Sequence, residues 1–366
     1  MSDALLNASI RGPVPDEQAF ESIKSGIDSL PAGAKMILNS AEFYGPKWDI
    51  ANLELLARFF EKYPEYADRT FLSVKASAAS RVELHFCPDF LGAVGRCHAH
   101  LRDDELKVRA PQPEDLRRSV DNCIKALRGT KKIDLFQPAR IDRDVKVEDS
   151  INALLEMLHE GKIDHIGLSE CSANTLRRAH AVYPISIAEI EISPMAYEEE
   201  TKKGTLDLSV MTEYTTDRAA YSPLGRGLTT GAIKDREQVQ GERPSTDDES
   251  RASAMYSTTG LHKALKVVQP ENWDHNRRFI EAFAAYAAKK GCTPAQLSIA
   301  WVAALGDKVI PLPGSSRKDR TLENLHGGDI VLTPEDMAAI ARIMEENPVK
   351  GGRGLATDAI DLKLWG

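Results

Sequence analysis

Short apolar segments alternate with amphipathic helical stretches along most of this chain, and that alternation constrains its fold more than any other feature. Met36-Ile37-Leu38 leads to Tyr44 and Gly45, Phe71-Leu72-Ser73-Val74 ends on Lys75, and Ile133 to Phe136 leads to Gln137. His165 to Ser169, Ser186 to Ile192, Ala219 to Tyr221 and Val309 to Leu312 continue the series. Between these runs, apolar residues recur at helical spacing. Phe20, Ile23, Ile27 and Leu30 precede Pro31; Ile50, Leu53, Leu56 and Phe60 share one face, as do Leu116, Val120, Cys123 and Leu127. Ile151, Leu154, Leu155 and Leu158 precede Gly161, a glycine placed to end its helix. Ser172 reads as the cap of a helix running to about Val182, and two more helices span Asn276 to Lys290 and Thr293 to Ala304. Thr333, Pro334, Glu335 and Asp336 have the capping chemistry of a final helix that reaches Glu346. No domain-breaking linker interrupts the pattern. It therefore predicts right-handed βα units closing into one (β/α)8 TIM barrel over residues 1–366.

Three stretches depart from that pattern. Residues 1–14 offer only Leu5 to Ile10 as an apolar candidate for a first strand, so the first strand is expected to be degenerate. Residues 76–112 have no sustained period and read as one irregular insertion, either a true addition or sequence such as a retained intron. The tail 350–366 also stands outside the alternation.

In a parallel barrel, residues at the C-terminal ends of the strands converge on one mouth, which brings Tyr44 and Lys75 within reach of each other. A phenol titrates near ~10, and an adjacent ammonium stabilises the phenolate and makes the hydroxyl a better general acid. The pair is expected to lower the Tyr44 pKa. Composition narrows the partners. A net charge of -8 gives no basic surface for nucleic acid or an anionic membrane, and no apolar run approaches the ~20 residues that span a bilayer. The N-terminus lacks the pattern of a secretory signal, so a cytoplasmic location is expected. The five cysteines are scattered and read as reduced thiols. His85, Cys87, Cys97, His98 and His100 contain no CxxC pair, so no metal site is assigned.

The segments E-F-Y-G, F-L-S-V-K, I-D-L-F-Q-P-A-R-I-D, H-I-G-L-S-E, A-Y-S-P-L-G-R-G-L and I-P-L-P-G-S-S-R-K-D-R-T-L-E-N stand in one order along the chain. Together they resemble the aldo-keto reductase superfamily, and most of all its fungal pyridoxal reductase-like branch. The resemblance implies an NADPH-dependent reduction of an aldehyde or ketone to an alcohol, with pyridoxal to pyridoxine as the first candidate. Under it Tyr44 is the proton donor, Lys75 its polarising partner, and Asn39 stands where the family usually has Asp. Ala139 stands where His is usual. Asn39 offers Lys75 a hydrogen bond but no charge, so Lys75 is expected to lack a charge partner and to have a lowered pKa. These two departures also admit an NADP(H)-binding, weakly catalytic regulatory protein.

For the cofactor, the resemblance implies nicotinamide-amide contacts at Ser169, Glu170 and Glu189, with Ile192 in place of a stacking aromatic. Pyrophosphate contacts fall on Ser222, Leu224, Gly225, Arg226 and Gly227, where amides freed by the glycines are expected to face an anion. The adenosine end falls on Gly314, Ser315, Ser316, Arg317, Arg320, Glu323 and Asn324, with the two arginines suited to a 2′-phosphate and hence to NADPH. A small carbonyl substrate is the partner implied, and the resemblance would drape the tail 350–366 over the barrel mouth.

Overall fold

The computed structural model describes residues 14–45, 49–76, 112–141, 144–197, 216–236, 238 and 265–353. Seven parallel strands form one sheet: β1 Met36–Ala41, β2 Thr70–Ala76, β3 Ile133–Pro138, β4 Ile163–Ser169, β5 Ile187–Glu191, β6 Asp217–Tyr221 and β7 Val309–Leu312. They pair in chain order from β1 to β7, the arrangement of a nearly closed barrel whose crossovers all run the same way. The segment Leu5 to Ile10, the insertion 77–111 with its histidines and cysteines, the loop 239–264 and the tail beyond Arg353 lie outside the described residues.

The helices follow from the spacing that predicted them. α1 Asp16–Asp28, α2 Ala51–Lys62, α3 Pro113–Leu127, α4 Val147–His159 and α5 Ala173–Val182 each bury one stripe against β1 to β4. Phe59, Leu53, Ile23, Leu154 and Leu176 are wholly buried in this half, and each such side chain contributes roughly 1.5–3 kcal/mol. In the second half α6 Pro270–Lys290, α7 Pro294–Ala303 and α9 Pro334–Glu346 pack on β5 and β6 through Phe279, Phe283, Trp301 and Ile340. The first of these begins six residues before the predicted Asn276, because Pro270 suits an N-terminal turn and Trp273 extends the buried stripe. Between α7 and α9, helix α8 Lys318–Gly327 packs against α1. Ser22 Oγ and Thr321 Oγ1 lie 2.7 Å apart, and Gln18 donates to Ser316 O at 2.8 Å. The first helix and the helix after β7 are thereby joined.

Side chains on a strand alternate faces. One face of the sheet carries an apolar layer of Leu135, Ile187, Ala219 and Leu312, packed with Ile37, Phe71 and Tyr221. Two residues further along the same faces stand Gln137, Glu189, Asn39 and Ser73. The apolar layer therefore plugs the barrel below, and a polar layer lies above it at the strand ends. No helix among the described residues is long and apolar enough to cross a membrane.

Candidate active site

The polar layer gathers around one carboxylate. Lys75, 3% exposed at the end of β2, places its Nζ 2.8 and 3.1 Å from the two oxygens of Glu189, itself 3% exposed on β5. Asn39 from β1 and Gln137 from β3 each donate a side-chain amide to Glu189 Oε2 at 2.7 Å. Lys75 also donates to Asn39 Oδ1. Gly167 on β4 makes room for this packing: a Cβ there would lie 2.9 Å from Gln137 Oε1 and 2.8 Å from Leu135 Cδ2.

Lys75 therefore has a charge partner, contrary to the expectation from Asn39. The carboxylate reaches it from β5 instead of β1. Burial acts most strongly on the Lys75 ammonium and opposes its charge, but Glu189 and the neighbouring Tyr44 outweigh it and hold the pKa above the usual lysine value. The expected lowering is corrected accordingly.

Tyr44 follows β1 beside Gly45, where a Cβ would come within 2.7 Å of the Asp49 carbonyl oxygen. The Lys75 ammonium stands 5.1 Å from the centroid of the Tyr44 ring. Burial is the largest influence on the phenol and raises its pKa; Lys75 and Arg140 pull it down, and Glu189 pushes it up. The net direction is upward, so the expected lowering does not hold either. Two consequences follow: the hydroxyl keeps its proton throughout neutral pH, and Lys75 limits the cost of giving that proton away.

The residues assigned to a dinucleotide lie along the same rim. Ser169 pairs in register with Glu189, and Glu170, with φ 56°, follows at the tip of β4. Glu170 is fully buried, accepts from the Glu191 backbone N–H at 3.1 Å through Oε1, and leaves Oε2 without a hydrogen bond to any described residue. A buried acceptor oxygen left without a donor fits a ligand that brings an N–H, such as a carboxamide. Glu189, in contrast, is committed to Lys75, Asn39 and Gln137. Ser222 to Gly227 follow β6, with φ of 53° at Ser222, 55° at Gly225, 56° at Arg226 and 95° at Gly227. The amides of Gly225 and Gly227 are not freed: they close turns onto Ser222 O and Leu224 O, both at 2.9 Å. Arg226 makes a forked pair with Glu191 at 3.0 and 2.9 Å. Gly314 to Ser316 precede α8 as expected, with Ser315 Oγ accepting from Arg317 N at 3.1 Å. Arg317 pairs with Asp319 and Arg320 with Glu323, while Asn324 is buried in α8.

Three residues at the mouth were not assigned to the site from the sequence. Glu191 shares the inward face with Glu189, which the alternation E-I-E encodes. Arg353, 5% exposed, bonds Glu191 Oε2 at 3.0 Å, Glu170 Oε1 at 2.5 Å and the Tyr221 hydroxyl at 3.2 Å. No local motif announces it. Tyr221 is the aromatic at the tip of β6, just before Ser222, whereas Ile192 is wholly buried.

A family model described as "Aldo/keto reductase family" matches residues 6–345. The chain belongs to the aldo/keto reductase family. Its curated relatives include "Probable pyridoxal reductase 2" of Schizosaccharomyces pombe, 32% identical over 93% of this chain and 89% of that protein. Another is "Aldo-keto reductase str7" of Strobilurus tenacellus, 34% identical over 66% of this chain and 67% of that protein. Among solved structures, a glycerol dehydrogenase from Gluconobacter oxydans shares the fold with a TM-score of 0.65 at 19% identity, covering 95% of this chain and 91% of the other. A thermostable aldo-keto reductase solved with the inhibitor epalrestat gives 0.57 at 20% identity, covering 93% and 94%. Membership carries the general chemistry of the family, carbonyl reduction with a nicotinamide cofactor.

Proposed function

We propose that the protein is an NADPH-dependent reductase of aldehydes, with pyridoxal to pyridoxine as the first substrate to test. The observation that carries the reading is Tyr44 beside a Lys75 that is buried, charged and paired at the strand ends. The similarity to a probable pyridoxal reductase supports the choice of substrate. The dinucleotide would rest on Ser169, Glu170, the Ser222 to Gly227 turn and the start of α8, and when bound it supplies the hydride. Tyr44 holds the proton that the carbonyl oxygen takes up. Lys75 keeps a positive charge beside the phenol as that proton leaves, and Glu189 keeps Lys75 in place. Arg317 and Arg320 favour NADPH over NADH through the 2′-phosphate. A cytoplasmic enzyme acting on a small carbonyl compound, without a nucleic-acid or membrane partner, follows from the same reading.

The regulatory alternative drew on Asn39 and Ala139. Glu189 removes the force of the first departure, since the lysine has its carboxylate. Ala139 leaves proton donation to Tyr44 alone. Fluorescence titration with NADPH and pyridoxal-dependent NADPH consumption test the proposal. Tyr44→Phe should keep cofactor affinity and lower turnover by about 10²-fold or more, the contribution of a positioned proton donor. A Tyr44→Phe protein turning over at the normal rate would remove Tyr44 from the mechanism.

A further inference from the structure

The cluster below Tyr44 is a closed circuit. Asn39 accepts from the Lys75 ammonium with its carbonyl end and donates to Glu189 Oε2 with its amino end, while Lys75 reaches Glu189 directly at 2.8 Å. An amide can serve both neighbours at once without titrating, since the ammonium only donates and the carboxylate only accepts. Gln137 adds a further donor to Glu189 at 2.7 Å. All four side chains are nearly inaccessible to water, so the circuit has one positive and one negative charge and no solvent to replace either. Positions 39 and 189 project from different strands toward the same ammonium, and both touch it.

We propose that Glu189 is the positioning residue that holds Lys75 charged beneath Tyr44, and that residues 39 and 189 form an exchangeable pair needing one carboxylate and one amide in either order. This deepens the reductase reading and rests on it. Two carboxylates would repel at hydrogen-bond distance, and two amides would leave a buried ammonium with no counter-charge. Burial is already the strongest influence on Lys75, opposed chiefly by Glu189. Without that carboxylate the ammonium loses its proton more readily, and Tyr44 then faces a neutral amine. The charged groups acting on Tyr44 are Lys75 from β2, Glu189 from β5 and Arg140 beyond β3. Because Glu189 is used in this way, contacts to a carboxamide fall to Ser169 and to the open Oε2 of Glu170.

The test compares the full chain with Asn39→Asp, Glu189→Gln and the double variant by thermal melting, NADPH fluorescence and the pH profile of kcat with pyridoxal. Glu189→Gln should melt lower and lose about tenfold or more in kcat at neutral pH. Its kcat should recover toward acid, because a lysine with a depressed pKa is charged below that pKa and neutral above it. Asn39→Asp should also melt lower at neutral pH and recover on acidification, as one of two facing carboxylates takes up a proton. The double variant should regain most of both losses, a non-additivity that marks residues acting on one partner. A Glu189→Gln protein with an unchanged melting curve and pH profile would overturn the proposal. So would a double variant no better than the worse single, or one that does not fold. If the unaltered protein neither binds NADPH nor reduces pyridoxal, the reductase reading fails, while the four melting curves still decide the exchangeable pair.

Discussion

Two buried charge clusters sit side by side at the strand ends, and they are built differently. The Lys75 cluster draws every member from a strand: Asn39 from β1, Lys75 from β2, Gln137 from β3 and Glu189 from β5. It has one cation and one carboxylate, with amides filling the remaining hydrogen bonds. The neighbouring cluster has two carboxylates, Glu170 and Glu191, and two arginines, Arg226 and Arg353. Neither arginine comes from a strand. Arg226 rides the turn after β6, and Arg353 comes from beyond the last helix. Glu191 is shared by both arginines, so losing either leaves it a cation. The first cluster has no spare partner, whereas the second has a spare cation for Glu191 but none for Glu170, and depends on chain segments outside the barrel wall.

That contrast can be tested by removing one cation from each. Lys75→Met leaves Glu189 buried with amides only and should cost about 3–5 kcal/mol of folding stability, as expected for a buried pair broken on one side. Arg226→Met leaves Glu191 still paired with Arg353 and should cost less, about 1.5–3 kcal/mol, the range for a charged hydrogen bond. Urea unfolding of the two variants measures the difference. Equal losses would show that the second cluster is as intolerant as the first. Lys75→Met should also abolish most turnover, whereas Arg226→Met should act mainly on cofactor affinity through the turn after β6.

The difference between the clusters also explains what the sequence made legible. Strand ends are set by periodicity, so the approach of Tyr44 and Lys75 was readable together with the barrel itself, whereas Asn39 entered only through the resemblance to the family. Which carboxylate would serve Lys75 was not readable, because Glu189 and Lys75 are on strands separated by two others, and only the closure of the sheet sets their distance. The raised pKa of Tyr44 was missed for a related reason. The sequence shows the ammonium that lowers it, whereas burial, which outweighs that ammonium, is a property of the packed mouth. Arg353 was out of reach altogether, since its partners Glu170 and Glu191 lie far earlier in the chain and G-G-R-G has no periodic environment. Gly167 shows the opposite case: a glycine visible in H-I-G-L-S-E whose reason, the close approach of Gln137 and Leu135, appears only in three dimensions.

A third region sharpens the comparison because its charges are neither deeply buried nor tied to a cluster. Arg320 is 25% exposed and stands 3.7 Å from Glu323 within α8. Arg320→Ala should barely change stability, yet should weaken NADPH far more than NADH, by about 1.5–3 kcal/mol for one charge-assisted contact to a phosphate. Paired fluorescence titrations with the two dinucleotides provide the measurement. Equal weakening of both would show that Arg320 does not read the 2′-phosphate.

The smallest effect is expected at Arg317, two residues before Asp319 and paired with it at 2.8 Å, with side-chain exposures of 42% and 58%. Solvent screens such a pair and holding two mobile side chains together costs entropy, so breaking it should change stability by only about 0.2–1 kcal/mol. Asp319→Ala therefore makes a clean probe of what Arg317 is for. If the aspartate only steadies the arginine, its loss leaves NADPH affinity near normal. If Asp319 instead competes with phosphate for the guanidinium, its removal releases Arg317 and tightens NADPH while leaving NADH unchanged. The second outcome is expected, because a phosphate dianion draws an arginine more strongly than a half-exposed carboxylate does. A weaker NADPH complex in Asp319→Ala would mean that the pair orders the start of α8, and that Arg317 needs its carboxylate in the way Lys75 needs Glu189.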